Sequence, residues 1–238
     1  MISPAKLKLY NASSINDIPQ IKKLSKKERF YLKVVAHVLP FRTNNYVLNE
    51  LINWKQVPDD PMYQLTFAQK GMLGDEEFDQ MAQALKSGSE AEIRRKAHRI
   101  RQSLNPHPAR QRTANVPFMN DEPVPGVQHK YRETALVFPS AGQTCHAYCT
   151  FCFRWAQFVG DSSLKFATDE SFKFQQYLKR HKEVTDVLFT GGDPMIMSFN
   201  RIKIYLEPLL APEFDHIQTI RIGTKSLSYW PYKFVTDQ

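Results

Sequence analysis

The stretch that decides the fold is "TDVLFTGGDP", residues 185–194. A short apolar run closed by two glycines, an acid and a proline reads as a buried strand that stops at a tight turn. Working outward, the same grammar recurs on both sides. "TALVF", residues 134–138, is a buried-strand run upstream, and "HIQTIRIGT", residues 216–224, is a third downstream. Residues 169–181, between the first two, place Phe174, Tyr177, Leu178 and His181 on one helical face, with acids in the first turn and bases in the last. Between the second and third, Ser198 stands as the cap of a helix carrying Ile202, Tyr205, Leu206 and Leu209. Strands alternating with helices predict an α/β fold of parallel βαβ units, whose functional groups gather on loops at the carboxyl ends of the strands.

Further upstream the pattern is helical. Ser25 with Glu28 is a capping-box pair, and Phe30, Val34 and Val38 with Tyr31 and Val35 trace one apolar face until Pro40. "NNYVLNELINW" is a second, shorter candidate, followed by a proline-bearing loop, "KQVPDDPMYQ". Residues 75–86 repeat the helical spacing through Phe78, Met81, Ala82 and Leu85, with Gly88 as the end signal. Ser89 with Glu92 opens another helix, whose inner face is Ile93, Ala97, Ile100 and Leu104. Five prolines between 105 and 130 predict a connecting arm. The expected organisation is a helical region over 1–104, the arm over 105–130 and a βα domain over 131–238.

Composition excludes some classes of protein. The chain has 238 residues with 32 Lys plus Arg against 24 Asp plus Glu, a formal charge of +8. No run of about 18 apolar residues occurs, and the first residues lack a leader's apolar core, so the expectation is a cytoplasmic protein without a membrane partner. Arg94, Arg95, Lys96, Arg99 and Arg101 share one predicted helix, with Arg110 and Arg112 beyond it. That pattern suits a solvated face, a contact with an acidic partner, or a nucleic-acid surface. No internal repeat is present.

All three cysteines lie in "TCHAYCTFCFRW", residues 144–155. An odd number so closely spaced argues against a disulfide framework and for metal binding or catalysis. Thiolates suit zinc or iron–sulfur centres. Zinc wants a fourth ligand, which His146 could supply. A [4Fe–4S] cluster held by Cys145, Cys149 and Cys152 would leave one iron open for an exogenous ligand.

The spacing CxxxCxxC, with Phe151 just before the last cysteine, resembles the signature of the radical S-adenosylmethionine enzymes. In that superfamily the open iron binds the methionyl amino and carboxylate groups, and an electron from the cluster cleaves the cofactor to a 5′-deoxyadenosyl radical. "FTGGDP" is similar to the superfamily's Gly-Gly-acidic turn after the second strand. The resemblance implies that Phe151 lies near the adenine and that Gly191, Gly192 and Asp193 hold the methionyl group, the carboxylate pairing with its ammonium.

A narrower similarity covers about residues 100–238. "DEPVPGVQHKYRETALVF", the cysteine loop, "DVLFTGGDPMIMS" and "IRIGTK" resemble the lysine 2,3-aminomutase family in order and spacing. That family adds pyridoxal phosphate and moves an amino group between adjacent carbons of an amino acid. The resemblance implies a partial (β/α)6 barrel, of which this chain carries the first three βα units, and a role for Arg154 near substrate and pyridoxal phosphate. It also implies a small amino-acid substrate and an electron donor such as a flavodoxin or ferredoxin; homo-oligomerisation is left open. Where the family writes "CRHCTRR" this chain has "CTFCFRW", and where the family has "HRYPDR" it reads "HKYRET", so Lys130 and Thr134 replace arginines. The family's Schiff-base lysine lies downstream of its third strand, and this chain ends at Gln238, so the expectation is the front part of a longer protein. Two alternatives stand beside it: a radical enzyme without pyridoxal phosphate that modifies a protein lysine, and a metal-bearing nucleic-acid-binding protein.

Overall fold

The computed structural model describes residues 6–110 and 112–236. The first five residues, part of the stretch read for a leader, and Gln238 lie outside them. The chain divides into two units: Met1–Pro106 with His146–Val159 and Leu227–Gln238, and His107–Cys145 with Gly160–Ser226.

The first unit is mainly helical. A short antiparallel pair, β1 (Leu9–Asn11) and β2 (Arg42–Asn44), accompanies α1 (Lys26–Val38), α2 (Pro61–Thr66), α3 (Asp75–Ser87) and α4 (Glu90–Ser103). The capping boxes read at Ser25 and Ser89 are both formed, each serine accepting from the backbone N–H of the glutamate three residues on. "NNYVLNELINW" is helical over 45–51, its last five residues, Val47–Leu51, forming a π-helical turn. The proline-bearing loop hides α2, which starts where Asp60 accepts from Tyr63 N at 2.7 Å and Pro61 fills the first helical position. Asp followed by Pro is a start signal, because proline's missing N–H costs nothing in the first turn. Leu32, Val34, Val35 and Val38 of α1 enter a core with Phe78 and Met81 of α3 and Ala97 and Ile100 of α4.

The basic helix is partly spent on structure. Arg101 donates to the carbonyls of Val38 (2.7 Å) and His37 (2.8 Å), closing the C-terminus of α1, where orphan carbonyls favour a cation. Arg94 pairs with Glu90, and Lys96 reaches Gln80.

The second unit is a mixed α/β layer. A hairpin, β3 (Phe118–Met119) and β4 (Glu122–Pro123), precedes a four-stranded sheet ordered β5 (Val127–Tyr131), β6 (Thr134–Val137), β7 (Asp186–Phe189) and β8 (Thr219–Ile222). The hairpin and all but the last residue of β5 fall inside the stretch read as a connecting arm. Asn120 and Asp121 both take positive φ (53° and 61°), the conformation a two-residue hairpin turn of primed type demands. β5 runs antiparallel to β6, while β6, β7 and β8 are parallel, as the alternating grammar predicts. Ala135, Val137, Val187 and Phe189 point to one face and are buried with Phe174, Tyr177 and Leu178 of α5 (Ser171–Arg180) and Tyr205 of α6 (Phe199–Leu206). Ser198, the expected cap of α6, makes no side-chain cap bond. Among the described residues no helix is long and apolar enough to cross a membrane.

Candidate active site

At the carboxyl ends of the parallel strands three loops of the second unit meet. Thr190 N donates to Val137 O at 3.0 Å and Gly223 N to Phe189 O at 2.9 Å, so each strand is tied to the next at its last residue. Just beyond, Asp193 N donates to Gly142 O at 3.0 Å. This joins the Gly-Gly-Asp turn to the segment leading into Cys145.

Both glycines are required by that junction. Gly191 has φ +140°, and a Cβ there would fall 2.0 Å from Gln143 Nε2. A Cβ on Gly192 would lie 2.4 Å from Thr144 O and 2.5 Å from Thr144 N, a collision with backbone that no rotamer relieves. The glycines therefore admit the chain just ahead of Cys145. Gln143 donates to Pro139 O, while its Oε1 is buried with no hydrogen-bond partner among the described residues.

Asp193 is 1% exposed. One carboxylate oxygen accepts from Met195 N (2.9 Å) and Thr224 Oγ1 (2.6 Å), the other from Lys225 N (2.8 Å) and Ser226 Oγ (3.2 Å). Thr224 and Ser226 were not singled out by sequence; they lie more than thirty residues from Asp193, and only the strand pairing brings them to it.

The rest of the cysteine loop belongs to the first unit. Tyr148 N donates to Arg42 O (3.0 Å), Thr150 N to Leu65 O (2.8 Å) and Thr150 Oγ1 to Gln64 O (2.9 Å). Asn44 Nδ2 donates to His146 O (3.1 Å) and to Tyr229 O (3.0 Å). The segment is thus pinned at alternate residues, which fixes Cys149 and leaves its Sγ 3.1 Å from Tyr229 Oη. Phe151, by contrast, is 71% exposed. Arg154 is buried, and the loss of water pulls its guanidinium down to about 10 while neighbouring Cys152 opposes the shift. It remains a cation at neutral pH.

The thiols of Cys145, Cys149 and Cys152 are free of disulfides, and all three are half-buried. Among the described residues no group of three or more His, Cys, Asp or Glu side chains is placed to hold a metal ion. An iron–sulfur cluster makes a different demand, since each thiolate takes its own iron and the sulfurs need not converge on one point. Three cysteines within eight residues of one loop are soft donors of the kind such a group takes. Lys130 and Thr134, which replace family arginines, lie on β5 and at the amino end of β6, where Thr134 Oγ1 donates to Asp186. They stand away from the carboxyl-end loops, so their substitution says little about a phosphate site there.

The second unit is thus an α/β layer whose Gly-Gly-Asp turn, at the carboxyl ends of parallel strands, packs on the residues just ahead of Cys145. No protein-family model matches the chain. A protein of Aquifex aeolicus, provisionally named L-lysine 2,3-aminomutase, is 30% identical over 223 residues, 94% of this chain and 48% of that protein. The L-lysine 2,3-aminomutases of Acetoanaerobium sticklandii and Clostridium subterminale are 31% and 28% identical over 117 residues, 49% of this chain and 27% of each. The chain belongs to the lysine 2,3-aminomutase family of radical S-adenosylmethionine proteins. It spans about half the length, or less, of the relatives it matches.

Proposed function

We propose that this chain is the cluster-bearing part of a radical S-adenosylmethionine isomerase that drives amino-group migration on lysine or a related amino acid. The observation that carries the reading is the packing of Gly191 and Gly192 against Gln143 and Thr144, which builds the Gly-Gly-Asp turn onto the root of the cysteine loop. In this reading β6, β7 and β8 are the first three parallel strands of a partial barrel. Cys145, Cys149 and Cys152 would hold a [4Fe–4S] cluster, residues 191–193 would form the methionyl end of the cofactor site, and the exposed ring of Phe151 would lie near the adenine. When bound, the cluster supplies the electron that cleaves S-adenosylmethionine. The chain's own residues bind and orient, and Arg154, buried and still cationic, holds positive charge close to the last cysteine. Pyridoxal phosphate is a further cofactor of the proposal, with its Schiff-base lysine not assigned to this chain. The electron donor is a flavodoxin or ferredoxin.

Anaerobic reconstitution with iron and sulfide should give about four iron atoms per chain, and Cys149→Ser should lower the content by more than about half, because a cluster with two thiolates is under-ligated. Stoichiometric zinc with no cluster absorption would overturn the proposal. Full-length protein given dithionite, S-adenosylmethionine, pyridoxal phosphate and lysine should form β-lysine. Cleavage of S-adenosylmethionine without migration would instead favour modification of another substrate.

A further inference from the structure

Asp193 stands where the family resemblance puts a partner for the methionyl ammonium, yet its surroundings are those of a structural clamp. A carboxylate offers about four lone-pair sites. Here two on each oxygen are taken by this chain: Met195 N and Thr224 Oγ1 on one, Lys225 N and Ser226 Oγ on the other. At 1% exposure no face of the group is left for a ligand. The backbone of the same residue donates to Gly142 O, so Asp193 bonds to the loops following both neighbouring strands at once. Thr224 Oγ1 in turn accepts from Ser226 N at 3.0 Å, which makes the 223–226 loop one hydrogen-bonded piece hung on the carboxylate. Gly223 and Lys225, at the front of that piece, are exposed.

We propose that Asp193 is a positioning residue: it fixes the 223–226 loop to the Gly-Gly turn, and the loop and turn, not the Asp193 carboxylate, meet the incoming ligand. The clamp stands on geometry alone, while its bearing on ligand binding rests on the S-adenosylmethionine reading above.

Two variants separate the possibilities. Asp193→Asn keeps shape but supplies one acceptor oxygen. Met195 N–H and Lys225 N–H sit on different oxygens, so whichever way the amide turns, one of them faces an N–H₂ group. Thr224→Val with Ser226→Ala keeps the carboxylate and removes two of its donors. In the chain without cluster or cofactor, amide hydrogen exchange at Met195 or Lys225 should quicken by roughly tenfold or more in Asp193→Asn, with β7 unaffected. Unchanged exchange at both amides overturns the clamp. With the iron–sulfide reconstituted chain, affinity is then measured for S-adenosylmethionine and for its deamino analogue, in which hydrogen replaces the ammonium. A positioning role weakens both ligands by the same factor, on the order of tenfold, in both variants. Loss confined to S-adenosylmethionine in Asp193→Asn, with unchanged or tighter binding in the Thr224/Ser226 variant, would show direct contact and overturn the proposal. If wild type binds neither ligand, the S-adenosylmethionine reading fails and the exchange result decides the clamp by itself. Should Asp193→Asn not fold, the Thr224/Ser226 variant carries both readouts.

Discussion

Strand β7 has an aspartate at each end, and the two do opposite work. Asp186, at the amino end, bonds to both neighbouring strands through Thr134 Oγ1 at 2.9 Å and the Nε and Nη2 of Arg221. Its side chain is 17% exposed and that of Arg221 is 51% exposed. Asp193, beyond the carboxyl end, is 1% exposed and is held by two backbone N–H groups and two hydroxyls, with no cationic side chain bonded to it among the described residues. Water can replace what is lost at the first and has no access to the second. The amino end is therefore joined by a tolerant ion pair, and the end that carries the candidate site by a network that fails if one member is removed.

The largest expected effect tests that contrast directly. Asp193→Ala orphans two backbone N–H groups in a buried place, each costing about 1–3 kcal/mol, so a loss on the order of 3 kcal/mol is expected in urea unfolding. Asp186→Ala should cost under about 1 kcal/mol, since water can solvate Arg221. Equal losses from the two would break the comparison.

A smaller effect sharpens it. Gly192→Ala sets a methyl 2.4–2.7 Å from the Thr144 backbone, so the turn and the root of the cysteine loop must part, at a cost of about 1–3 kcal/mol. Gly71, whose Cβ direction is open, is the control, and Gly71→Ala should stay within about 0.5 kcal/mol. If Gly192→Ala were as mild as the control, the carboxyl end would be looser than its contacts show. Cluster content after reconstitution should fall with Gly192→Ala and not with Gly71→Ala.

The same contrast marks what was legible in the sequence. Short apolar runs disclosed β6 and β7, and the alternation of strands with helices disclosed the parallel order they share with β8, although all four residues of β8 are exposed and Arg221 interrupts them. The capping boxes at Ser25 and Ser89 were equally plain, being contained within four residues. The hairpin and β5 were lost among prolines, although Asn120–Asp121 is a turn signal that outweighs them. Residues 146–159 keep company with the helical unit through bonds to Arg42, Gln64 and Leu65, partners that no local pattern discloses. Asp193 shows the limit most clearly. "TGGDP" locates the turn, but whether its acid is open or saturated depends on Thr224, Lys225 and Ser226, which reach it only because β8 pairs with β7.

The smallest expected effect concerns pH at the amino end. The hydrogen bond from Arg221 holds the Asp186 carboxyl below its ordinary value near 3.8, helped by Thr134 and by the guanidinium charge, with partial burial working against them. A carboxylate depressed in the folded state contributes stability that is fully present above the unfolded value and is lost as pH falls through the folded one. Wild type and Asp186→Asn should therefore differ by a constant amount, under about 1 kcal/mol, from neutral pH down to about 5. Below about 4 the wild type should lose that margin and the two unfolding midpoints should converge. Salt offers an independent check, because Arg221 is half exposed and its charge is open to screening, so the neutral-pH difference should shrink between low and about 1 M salt. The donors on Asp193 among the described residues are backbone N–H groups and hydroxyls, so the deficit of Asp193→Asn should persist at both salt concentrations. A salt-sensitive deficit at Asp193, or a salt-insensitive one at Asp186, would reverse the assignment of the charged clamp to one end of β7 and the neutral one to the other.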